Sequence, residues 1–341
     1  LVNLGEGNSI EPNQRATTTE LADGMVAASQ NHWPSLEVDI GVLNNYAARL
    51  LPAGFYYKTF IHPRPFWKHV FEPVIRQSAG LGRAPRDRDA DRYEQMYAFC
   101  DVLVAGGGIA GLQAALEAAL SGARVIVMEQ TAHWGGRAPV DQPEVEGQPV
   151  ADWIASTLTA LAAMDNVTLH TRAMVAGVYD HGYVLAEETL SKGGPRKRLW
   201  RIRAGRILAA TGAIERPLPF AGNDIPGVML AGAVRDYLTD FAVSPGDRTV
   251  VVTNNDSAYL TALALVGAGL AVPVIVDSRR EAGGDLVQRA RAAGIRVATG
   301  TALVKVKGGK RVTGVALGLM AGEGAVTEEL ACDCVAMSGG W

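Results

Sequence analysis

Cysteine is scarce in this sequence: its 341 residues include only Cys100, Cys332 and Cys334. The odd number and the lack of a CxxC pair argue against a disulfide framework and against a redox-active dithiol. Cys332 and Cys334 have no matching His or Cys pair elsewhere, so we expect buried strand cysteines and no metal site. Such cysteine usage indicates a reducing compartment, and we expect a cytoplasmic location.

The chain also lacks a strong net charge and a long uninterrupted apolar run. Its formal net charge is −3, from 32 Lys and Arg against 35 Asp and Glu, so no overall field attracts nucleic acid or an anionic membrane. Apolar runs such as residues 260–276 are broken by Gly and Pro and fall short of the ~20 residues that span a bilayer. We therefore expect neither a nucleic-acid partner nor a membrane partner. The missing initiator Met and the apolar strand at the end predict a fragment of a longer polypeptide.

Residues 1–97 are punctuated by proline and carry a cluster of aromatic residues at 54–73. Period-two alternation is weak there, so we expect irregular structure with short helices within residues 17–30 and 65–82. The aromatic residues are consistent with a local core or with a surface that docks a partner chain. We expect an N-terminal extension that contacts another subunit.

From Cys100 the pattern changes to an apolar strand, a glycine turn, an apolar helix and a second apolar strand, CDVLVAGGGIAGLQAALEAALSGARVIVMEQ. Strands that are apolar throughout are typical of buried parallel sheets. A second unit of this kind occupies residues 249–278. The repeat predicts an α/β fold with two nested, three-layer Rossmann-like domains of the FAD/NAD(P)-binding type. We expect the first domain at 98–220, a second, degenerate domain at 221–331, and a return to the first at 332–341.

The first glycine loop has the spacing GxGxxG, formed by Gly106, Gly108 and Gly111. In a dinucleotide fold the three glycines permit a tight turn, a close approach of the backbone to a pyrophosphate, and close packing of helix on strand. The helix that follows offers unpaired N–H groups and the positive end of its dipole to phosphate. The sequence therefore predicts a nucleotide site at this loop.

Three further segments supply candidate residues for the same site. Glu129 ends the second strand, where a carboxylate can accept hydrogen bonds from both ribose hydroxyls and repel a 2′-phosphate. Gly136 and Arg137 belong to WGGR, a loop that can pass close to a pyrophosphate, with Arg137 as a bidentate donor. Thr211 and Gly212 end a buried strand whose small residues can pack against the nucleotide.

The second unit lacks the glycines of the first, because residues 253–257 read TNNDS. A β-carbon at each position obstructs the approach of a pyrophosphate, and Asp256 adds a negative charge. Asn tolerates the left-handed conformation that such a turn requires, so the fold can survive. Asp277 occupies the ribose-acid position, which keeps weak binding open. We expect no productive binding of NAD(P)H at this loop.

GGGIAG, Glu129, WGGR and ATGAIERPLPFAGNDIPGV together resemble flavoprotein reductases with two dinucleotide domains, the thioredoxin-reductase-like superfamily. EPNQRATTTELADG, SQNHWPSLEVDIG and GFYYKTFIHP resemble, more specifically, the alpha subunits of heterotetrameric sarcosine oxidases. The resemblance carries the nucleotide-site role to Gly106, Gly108, Gly111, Glu129, Gly136, Arg137, Thr211 and Gly212, and also to Val175, whose strand could meet the adenine edge.

The resemblance also implies a function. Complexes of this family oxidise sarcosine to glycine with oxygen, giving hydrogen peroxide and a one-carbon unit that folate captures. The alpha subunit is expected to hold NAD in a structural role, with FMN at an interface with a flavoprotein beta subunit and with smaller subunits in the complex. FAD remains an alternative to NAD, because both present an ADP half. The alternative function is a self-sufficient FAD-dependent NAD(P)H oxidoreductase without a redox dithiol. No catalytic residue is assigned to this chain.

Overall fold

The computed structural model describes residues 1–47, 54–55, 60, 62–86, 88–190 and 194–341. Its contacts divide the chain into two compact units. One comprises residues 1–94 with 191–197, and the other comprises residues 95–190 with 198–341. Part of the family-like phrase GFYYKTFIHP, at positions 56–59 and 61, lies outside the described residues.

The N-terminal unit has a small antiparallel sheet and short helices. Its strands run in the order Glu11–Gln14, Val2–Leu4, Ala27–Ser29. Its helical segments are Gly7–Ser9, Ala16–Thr18, Ile40–Leu43, Asn44–Ala47, Arg64–Phe66, Trp67–Phe71 and Glu72–Ser78. The helix expected within 65–82 is therefore present. The prediction of a helix within 17–30 is wrong, because a 3₁₀ turn and a strand occupy that segment.

The N-terminal unit has no hydrophobic core of its own in the described part of residues 1–94. All fully buried hydrophobic side chains of the described chain lie at Cys100 or beyond. Trp33, Leu36 and Tyr46 are 60%, 70% and 85% exposed. These three side chains face outward. The local core expected for the aromatic cluster at 54–73 falls partly outside the described residues, and within that cluster the ring centroids of Phe60 and Phe71 lie 5.0 Å apart.

The first sheet of the C-terminal unit has six strands. In spatial order they are Val167–His170, Val125–Met128, Tyr93–Ala105, Lys197–Ala209, Tyr183–Thr189 and Ala173–Tyr179. The pairs formed by Val125–Met128 with its two neighbours are parallel. A small hairpin, Glu144–Val145 with Gln148–Pro149, lies in a connection.

Alternate residues of the parallel strands face two different layers, as the pleat requires. Val104, Val125 and Val127 pack against helices Ile109–Leu120 and Val150–Ala162. Leu103, Ile126 and Met128 pack with residues of the strands Tyr183–Thr189 and Lys197–Ala209, such as Val184 and Ile202. This burial on both faces explains why the strands are apolar throughout, and it gives the expected three layers.

The second sheet consists of five parallel strands. Their spatial order is Val228–Leu230, Cys334–Ser338, Thr249–Thr253, Ile275–Asp277, Val297–Thr299. One face is covered by the helices Ala231–Phe241, Ser257–Gly267 and Asp285–Ala292. The other face is covered by a three-stranded antiparallel sheet, Thr301–Gly308, Val312–Leu319 and Glu328–Ala331.

The sequence predicted that residues 332–341 return to the first domain. For the strand in this segment, Cys334–Ser338, the prediction is wrong. Cys334–Ser338 pairs in parallel with Thr249–Thr253, the central strand of the second sheet, and Ala336 lies opposite Val251. A fully buried apolar strand fits either parallel sheet, so its pattern does not choose the partner. After this strand the N–H of Gly339 donates to the carbonyl of Arg216 at 2.7 Å, and Trp341 reaches the cavity beside the first sheet.

The helices of the C-terminal unit are Ile109–Leu120, Ala138–Asp141, Val150–Ala162, Ala231–Phe241, Ser257–Gly267 and Asp285–Ala292, with a 3₁₀ turn at Asp180–Gly182. Among the described residues, no helix is both long enough and apolar enough to pass through a bilayer.

Candidate functional site

A cavity of about 610 Å³ opens at the ends of the parallel strands of the first sheet. Eight of the nine residues predicted for the nucleotide site line it: Gly106, Gly108, Glu129, Gly136, Arg137, Val175, Thr211 and Gly212. The ninth, Gly111, lies in the helix directly behind the loop. The structure therefore brings together residues from five separate segments of the sequence.

Gly106 and Gly111 are required by sterics. Gly106 has φ +108°, and a β-carbon there would lie 2.2 Å from the carbonyl oxygen of Ala210. A β-carbon at Gly111 would lie 1.9 Å from the carbonyl oxygen of Gly106. These two glycines allow the loop to turn tightly and the helix to pack on the strand, which are two of the roles expected of the motif.

Gly108 and Gly136 bring two loops close together and leave space above them. The N–H of Gly135 donates to the carbonyl of Gly107 at 2.8 Å, which joins the two loops. A β-carbon at Gly108 would meet only the Cα of Gly136, at 4.0 Å. Gly108 also caps the helix Ile109–Leu120 with no side-chain acceptor. The first-turn N–H groups of this helix therefore form a cradle suited to an anion.

Glu129 is buried, and both of its carboxylate oxygens are held by the protein. Oε2 accepts a hydrogen bond from the N–H of Gly107 at 2.7 Å, and Oε1 accepts one from the N–H of Thr131 at 2.8 Å. A carboxylate has about four acceptor positions, so Glu129 retains capacity for ribose hydroxyls. These bonds also fix the conformation of the glycine loop.

Backbone segments complete the two sides of the cavity. The N–H of Ala173 donates to the carbonyl of Glu129 at 2.8 Å, so Ala173, Met174 and Val175 lie beside the acid. On the other side, the N–H of Ala210 bonds to the carbonyl of Ala105, which places Thr211 and Gly212 at the floor. Gly212 has φ +71°, a left-handed conformation that favours glycine.

Arg137 reaches the cavity, but its guanidinium is bound to carboxylates. Nη2 lies 2.9 Å from Asp236 and 3.3 Å from Asp141. Asp141 also pairs with the buried Arg235 at 2.6 Å, and Arg235 donates to the carbonyl of Ser257 at 3.1 Å. The bidentate phosphate role predicted for Arg137 therefore requires that these ion pairs open. The backbone N–H groups that follow Gly108 have no side-chain cap, so they are available as donors without the opening of an ion pair.

Several lining residues were not identified from the sequence. They are Ala105, Met128, Gln130, Thr131, Ala173, Met174, Ala210, Ala213, Asp236 and Trp341. Most are neighbours of predicted residues and follow once the strands are placed. Asp236 and Trp341 are far from the motifs in sequence, and no local signal marks them. Gly107 could have been found within GGG: a β-carbon there would lie 2.4 Å from the ring of Trp134.

The TNNDS loop, residues 253–257 of the second strand–helix–strand repeat, forms hydrogen bonds among its own residues. Oδ1 of Asn255 accepts hydrogen bonds from the N–H of Ser257 at 3.0 Å and from its hydroxyl at 2.7 Å. Nδ2 of Asn255 donates to the hydroxyl and the carbonyl of Ser338. The side chain of Asn255 thus occupies the start of helix Ser257–Gly267, where a phosphate would bind in an open glycine loop.

Asp277, at the ribose-acid position, has no exposed surface. It accepts a hydrogen bond from the hydroxyl of Tyr259 at 2.7 Å, and it is bound by the guanidinium of Arg279. The same guanidinium bonds to Asp256 in the loop at 2.7 Å. Burial, followed by the bond to Asp277, raises the pKa of Tyr259 well above its usual range, so its hydroxyl stays protonated. Both carboxylate oxygens of Asp277 are therefore occupied. The weak nucleotide binding that the sequence left open would need one of them to accept a hydrogen bond from a ribose.

Metal and thiol chemistry find no support in the described parts of the chain. No group of three or more His, Cys, Asp or Glu residues there is arranged to hold a metal ion. All three cysteines are free and buried. Burial raises the pKa of Cys100 to about 11 and the pKa of Cys332 to about 12, which keeps both thiols neutral at physiological pH.

Comparison with protein families supports this architecture. A family model described as pyridine nucleotide-disulphide oxidoreductase matches residues 100–341. The sarcosine oxidase subunit alpha of Rhizobium meliloti (strain 1021) is 45% identical over 348 residues, covering 100% of this chain and 34% of that protein. The sarcosine oxidase subunit alpha of Corynebacterium sp. (strain P-1) is 42% identical over 234 residues, covering 66% of this chain and 24% of that protein. The chain thus spans about a third of these curated relatives or less.

Among solved structures, the thioredoxin reductase of Lactococcus lactis in its FR conformation has a TM-score of 0.53 at 23% identity. The match covers 71% of this chain and 77% of the reductase. This likeness concerns the fold alone, with its two domains built on parallel sheets.

Proposed function

The chain belongs to the pyridine nucleotide-disulphide oxidoreductase family, and from that membership we propose that it is an NAD-binding, mainly structural part of the alpha subunit of a sarcosine oxidase complex. The observation that carries the proposal is the contrast between the two loops. The loop at Gly106 is open toward a cavity, whereas the loop at Asn255 is closed by its own side chains.

The first cavity suits the ADP half of a dinucleotide. A β-carbon would fill the cradle at Gly108, and no side chain caps the helix behind it, so backbone N–H groups can hold the pyrophosphate. Glu129 would accept hydrogen bonds from the ribose, and the strand with Val175 would border the adenine. Bound NAD would contribute binding energy that orders these segments and stabilises the folded chain.

The closed second loop supports a structural role. In a reductase of this architecture a second nucleotide would bind at the second unit and deliver a hydride to the first. Here Oδ1 of Asn255 accepts a hydrogen bond from the N–H of Ser257, the first residue of the helix, and Asp277 is bound by Arg279 and Tyr259. A reduced nucleotide would have to displace all of these contacts. The chain therefore lacks a free docking site for a hydride donor at this loop.

We assign the oxidation of sarcosine to the complex and not to this chain alone. The partners are a flavoprotein beta subunit and smaller subunits, with FMN at an interface with a partner. The outward-facing apolar side chains of the N-terminal unit, such as Trp33 and Leu36, support a subunit contact there, because a segment without buried hydrophobic residues needs another surface to cover it. The three free, buried cysteines support a cytoplasmic location.

The alternative is a self-sufficient FAD-dependent NAD(P)H oxidoreductase, since FAD and NAD present the same ADP half to the first cavity. This alternative requires a working second site, and the contacts of Asn255 and Asp277 argue against one.

Identification of the released nucleotide tests the proposal. The complete polypeptide is purified with its partner subunits and then separately, each sample is denatured, and the supernatant is analysed by mass and absorbance. We expect NAD from the separated alpha subunit and no bleaching of flavin when NADH or NADPH is added anaerobically. FAD from that subunit together with NAD(P)H-driven turnover would establish the reductase instead.

A further inference from the structure

The segment of residues 134–141, which is the WGGR loop with the short helix that follows it, lies directly beside the glycine loop of the first cavity. The N–H of Gly135 donates to the carbonyl of Gly107 at 2.8 Å. A β-carbon at Gly136 would lie 3.2 Å from the Cα of Gly108. The position of this segment therefore sets the space between the two loops at the cradle.

The same segment is held from the other side by helix Ala231–Phe241, which covers one face of the second sheet. The guanidinium of Arg137 binds the carboxylate of Asp236 through two contacts, at 2.9 and 3.1 Å. At the end of the short helix, Asp141 accepts a hydrogen bond from Nη2 of Arg235 at 2.6 Å. Two adjacent residues of one helix, a base and an acid, thus pair with the two ends of the short helix.

Arg235 is the buried member of this set of four charges. Its side chain is 4% exposed, whereas that of Asp141 is 29% exposed. Nη1 of Arg235 also donates to the carbonyl of Ser257 at 3.1 Å. Burial lowers the pKa of Arg235, and the attraction of Asp141 counteracts this effect. Loss of Asp141 would leave a buried charge without its carboxylate, which is costly, so the pair is a strong constraint on the short helix.

The charges of the set balance, because two guanidiniums meet two carboxylates. Arg137 and Arg235 both contact Asp141, at 3.3 and 2.6 Å. If Arg137 turned toward a pyrophosphate, Asp236 would lose the guanidinium that now binds it, and Asp141 would keep only Arg235. The arrangement therefore favours Arg137 as an anchor of the WGGR loop, while the backbone N–H groups that follow Gly108 serve as phosphate donors.

We propose that Arg235 and Asp141 are positioning residues of the nucleotide site: their buried ion pair, with the pair of Arg137 and Asp236, holds the WGGR loop beside the cradle at which a pyrophosphate would bind. Neither Arg235 nor Asp141 is among the described residues that line the cavity, so both act through the loop. This inference rests on the proposed function, since it concerns the same site. It makes a helix of the second sheet a determinant of affinity at the first.

Affinity and stability measured on the same variants test the inference. The complete polypeptide is freed of copurified nucleotide, and the dissociation constants of NAD⁺ and ADP-ribose are measured by titration calorimetry. Arg235→Met removes the charge but keeps a long side chain, and we expect both ligands to bind about tenfold more weakly, as is typical of energetic coupling between sites. ADP-ribose has the pyrophosphate but no nicotinamide, so an equal loss for both ligands assigns the effect to the cradle.

Arg279→Ala is the control for a general loss of stability. It breaks another arginine–carboxylate pair, at the TNNDS loop, and it should make unfolding easier without changing either dissociation constant. Denaturant unfolding of each variant measures stability independently of the ligands. A positioning role predicts weaker binding in folded Arg235→Met, whereas a purely structural role predicts only easier unfolding, as in Arg279→Ala.

Two further variants test the pair itself. Arg235→Lys keeps the positive charge and should retain part of the affinity that Arg235→Met loses. Asp141→Asn should weaken binding of both ligands, and its combination with Arg235→Met should cost less than the sum of the two single losses, because both substitutions remove the same contact. If Arg235→Met does not fold, Arg235→Lys and Asp141→Asn decide the result.

Unchanged affinities in folded Arg235→Met, an equal loss of affinity in Arg279→Ala, or strictly additive losses in the double variant would overturn the inference and leave the proposed function standing. Weaker binding of NAD⁺ with unchanged binding of ADP-ribose would also overturn it, because the effect would then lie away from the cradle. If neither ligand binds the unaltered protein, the proposed function fails and this inference fails with it.

Discussion

The guanidinium of Arg279 binds both carboxylate oxygens of Asp277, with Nε 3.0 Å from Oδ1 and Nη2 2.7 Å from Oδ2. Nη2 also bonds to Asp256 at 2.7 Å, so one arginine joins the end of a buried strand to the loop TNNDS. In an open dinucleotide site the ribose hydroxyls would bind an acid at this strand end. Arg279 thus fills acceptor positions of Asp277 that ribose hydroxyls would need.

Substitution of Arg279 should destabilise the protein without creating a nucleotide site. Arg279→Ala leaves the buried carboxylate of Asp277 with Tyr259 and main-chain donors only, and we expect unfolding to become easier by about 2 to 3 kcal/mol. Arg280→Ala is the matched control, because Arg280 is the next residue in the chain and its side chain is exposed. Denaturant unfolding measures the difference, and with the first cavity saturated by NAD⁺, NADH titration should detect no further binding in either variant. A gain of NADH affinity in Arg279→Ala would contradict the closed-loop interpretation.

Glycine substitutions in the first loop should separate folding from binding. Gly108→Ala has space for its β-carbon, so we expect normal stability, but the methyl group enters the cradle and should weaken nucleotide binding at least about tenfold. Gly111→Ala would place a β-carbon 1.9 Å from the carbonyl oxygen of Gly106, and it should destabilise the protein by about 2 kcal/mol or more. Melting curves and NAD⁺ titration measure both effects.

Gly267→Ala serves as the control for these variants, since nothing lies within 4 Å of its β-carbon at the end of a helix. It should be neutral or stabilise by up to about 1 kcal/mol. Full nucleotide affinity in Gly108→Ala would argue against the cradle as the phosphate site.

Glu129 should discriminate against a 2′-phosphate. Its carboxylate is fixed by the N–H groups of Gly107 and Thr131 and lines the cavity, so a phosphate on the adenosine ribose would meet a negative charge. We expect NADP⁺ to bind about 100-fold more weakly than NAD⁺. Glu129→Gln removes the charge and should narrow this gap. It also leaves one of the two N–H groups without an acceptor, with a loss of about 1 to 3 kcal/mol of stability. Competition titrations would reject this role if the gap did not change.

The three thiols should be inert in the native protein. Burial raises the pKa of Cys334 to about 11, and Cys100 and Cys332 are shifted in the same direction. Few thiolates form at pH 8, so a disulfide reagent should modify none of the three until the protein is denatured. Rapid modification of any thiol before unfolding would be inconsistent with this burial.

The same shifts predict sensitivity to alkali. A folded pKa above the unfolded value of about 8.5 means that the neutral thiols stabilise the fold fully below that pH. As the pH rises from about 9 toward 12, the unfolded chain loses protons first, and stability should fall. Unfolding measured against pH, with Cys332→Ala as the comparison, tests the contribution of this thiol.

The local sequence determined the strands and the glycine turn that position the nucleotide cavity of the first sheet. A buried parallel strand must be apolar on both faces, and a tight strand-to-helix turn needs glycine, so the strands and the roles of Gly106 and Gly111 followed from residue type and spacing. The fold class and its three layers were predicted for the same reason. The positions of Glu129 and Gly212 around one cavity followed from strand ends that meet at one edge of a sheet, whereas Val175 was carried over from the family resemblance.

Tertiary structure decided what local pattern cannot encode, namely which distant groups meet. The strand Cys334–Ser338 could have joined either sheet, and packing against Thr249–Thr253 settled its place. Trp341 and Asp236 reached the cavity only through the relative placement of the two sheets and their helices. The sequence showed that TNNDS lacks glycine, but only the fold brought Arg279 across to Asp277 and Asp256, because charge pairing depends on distance in space and not on separation along the chain.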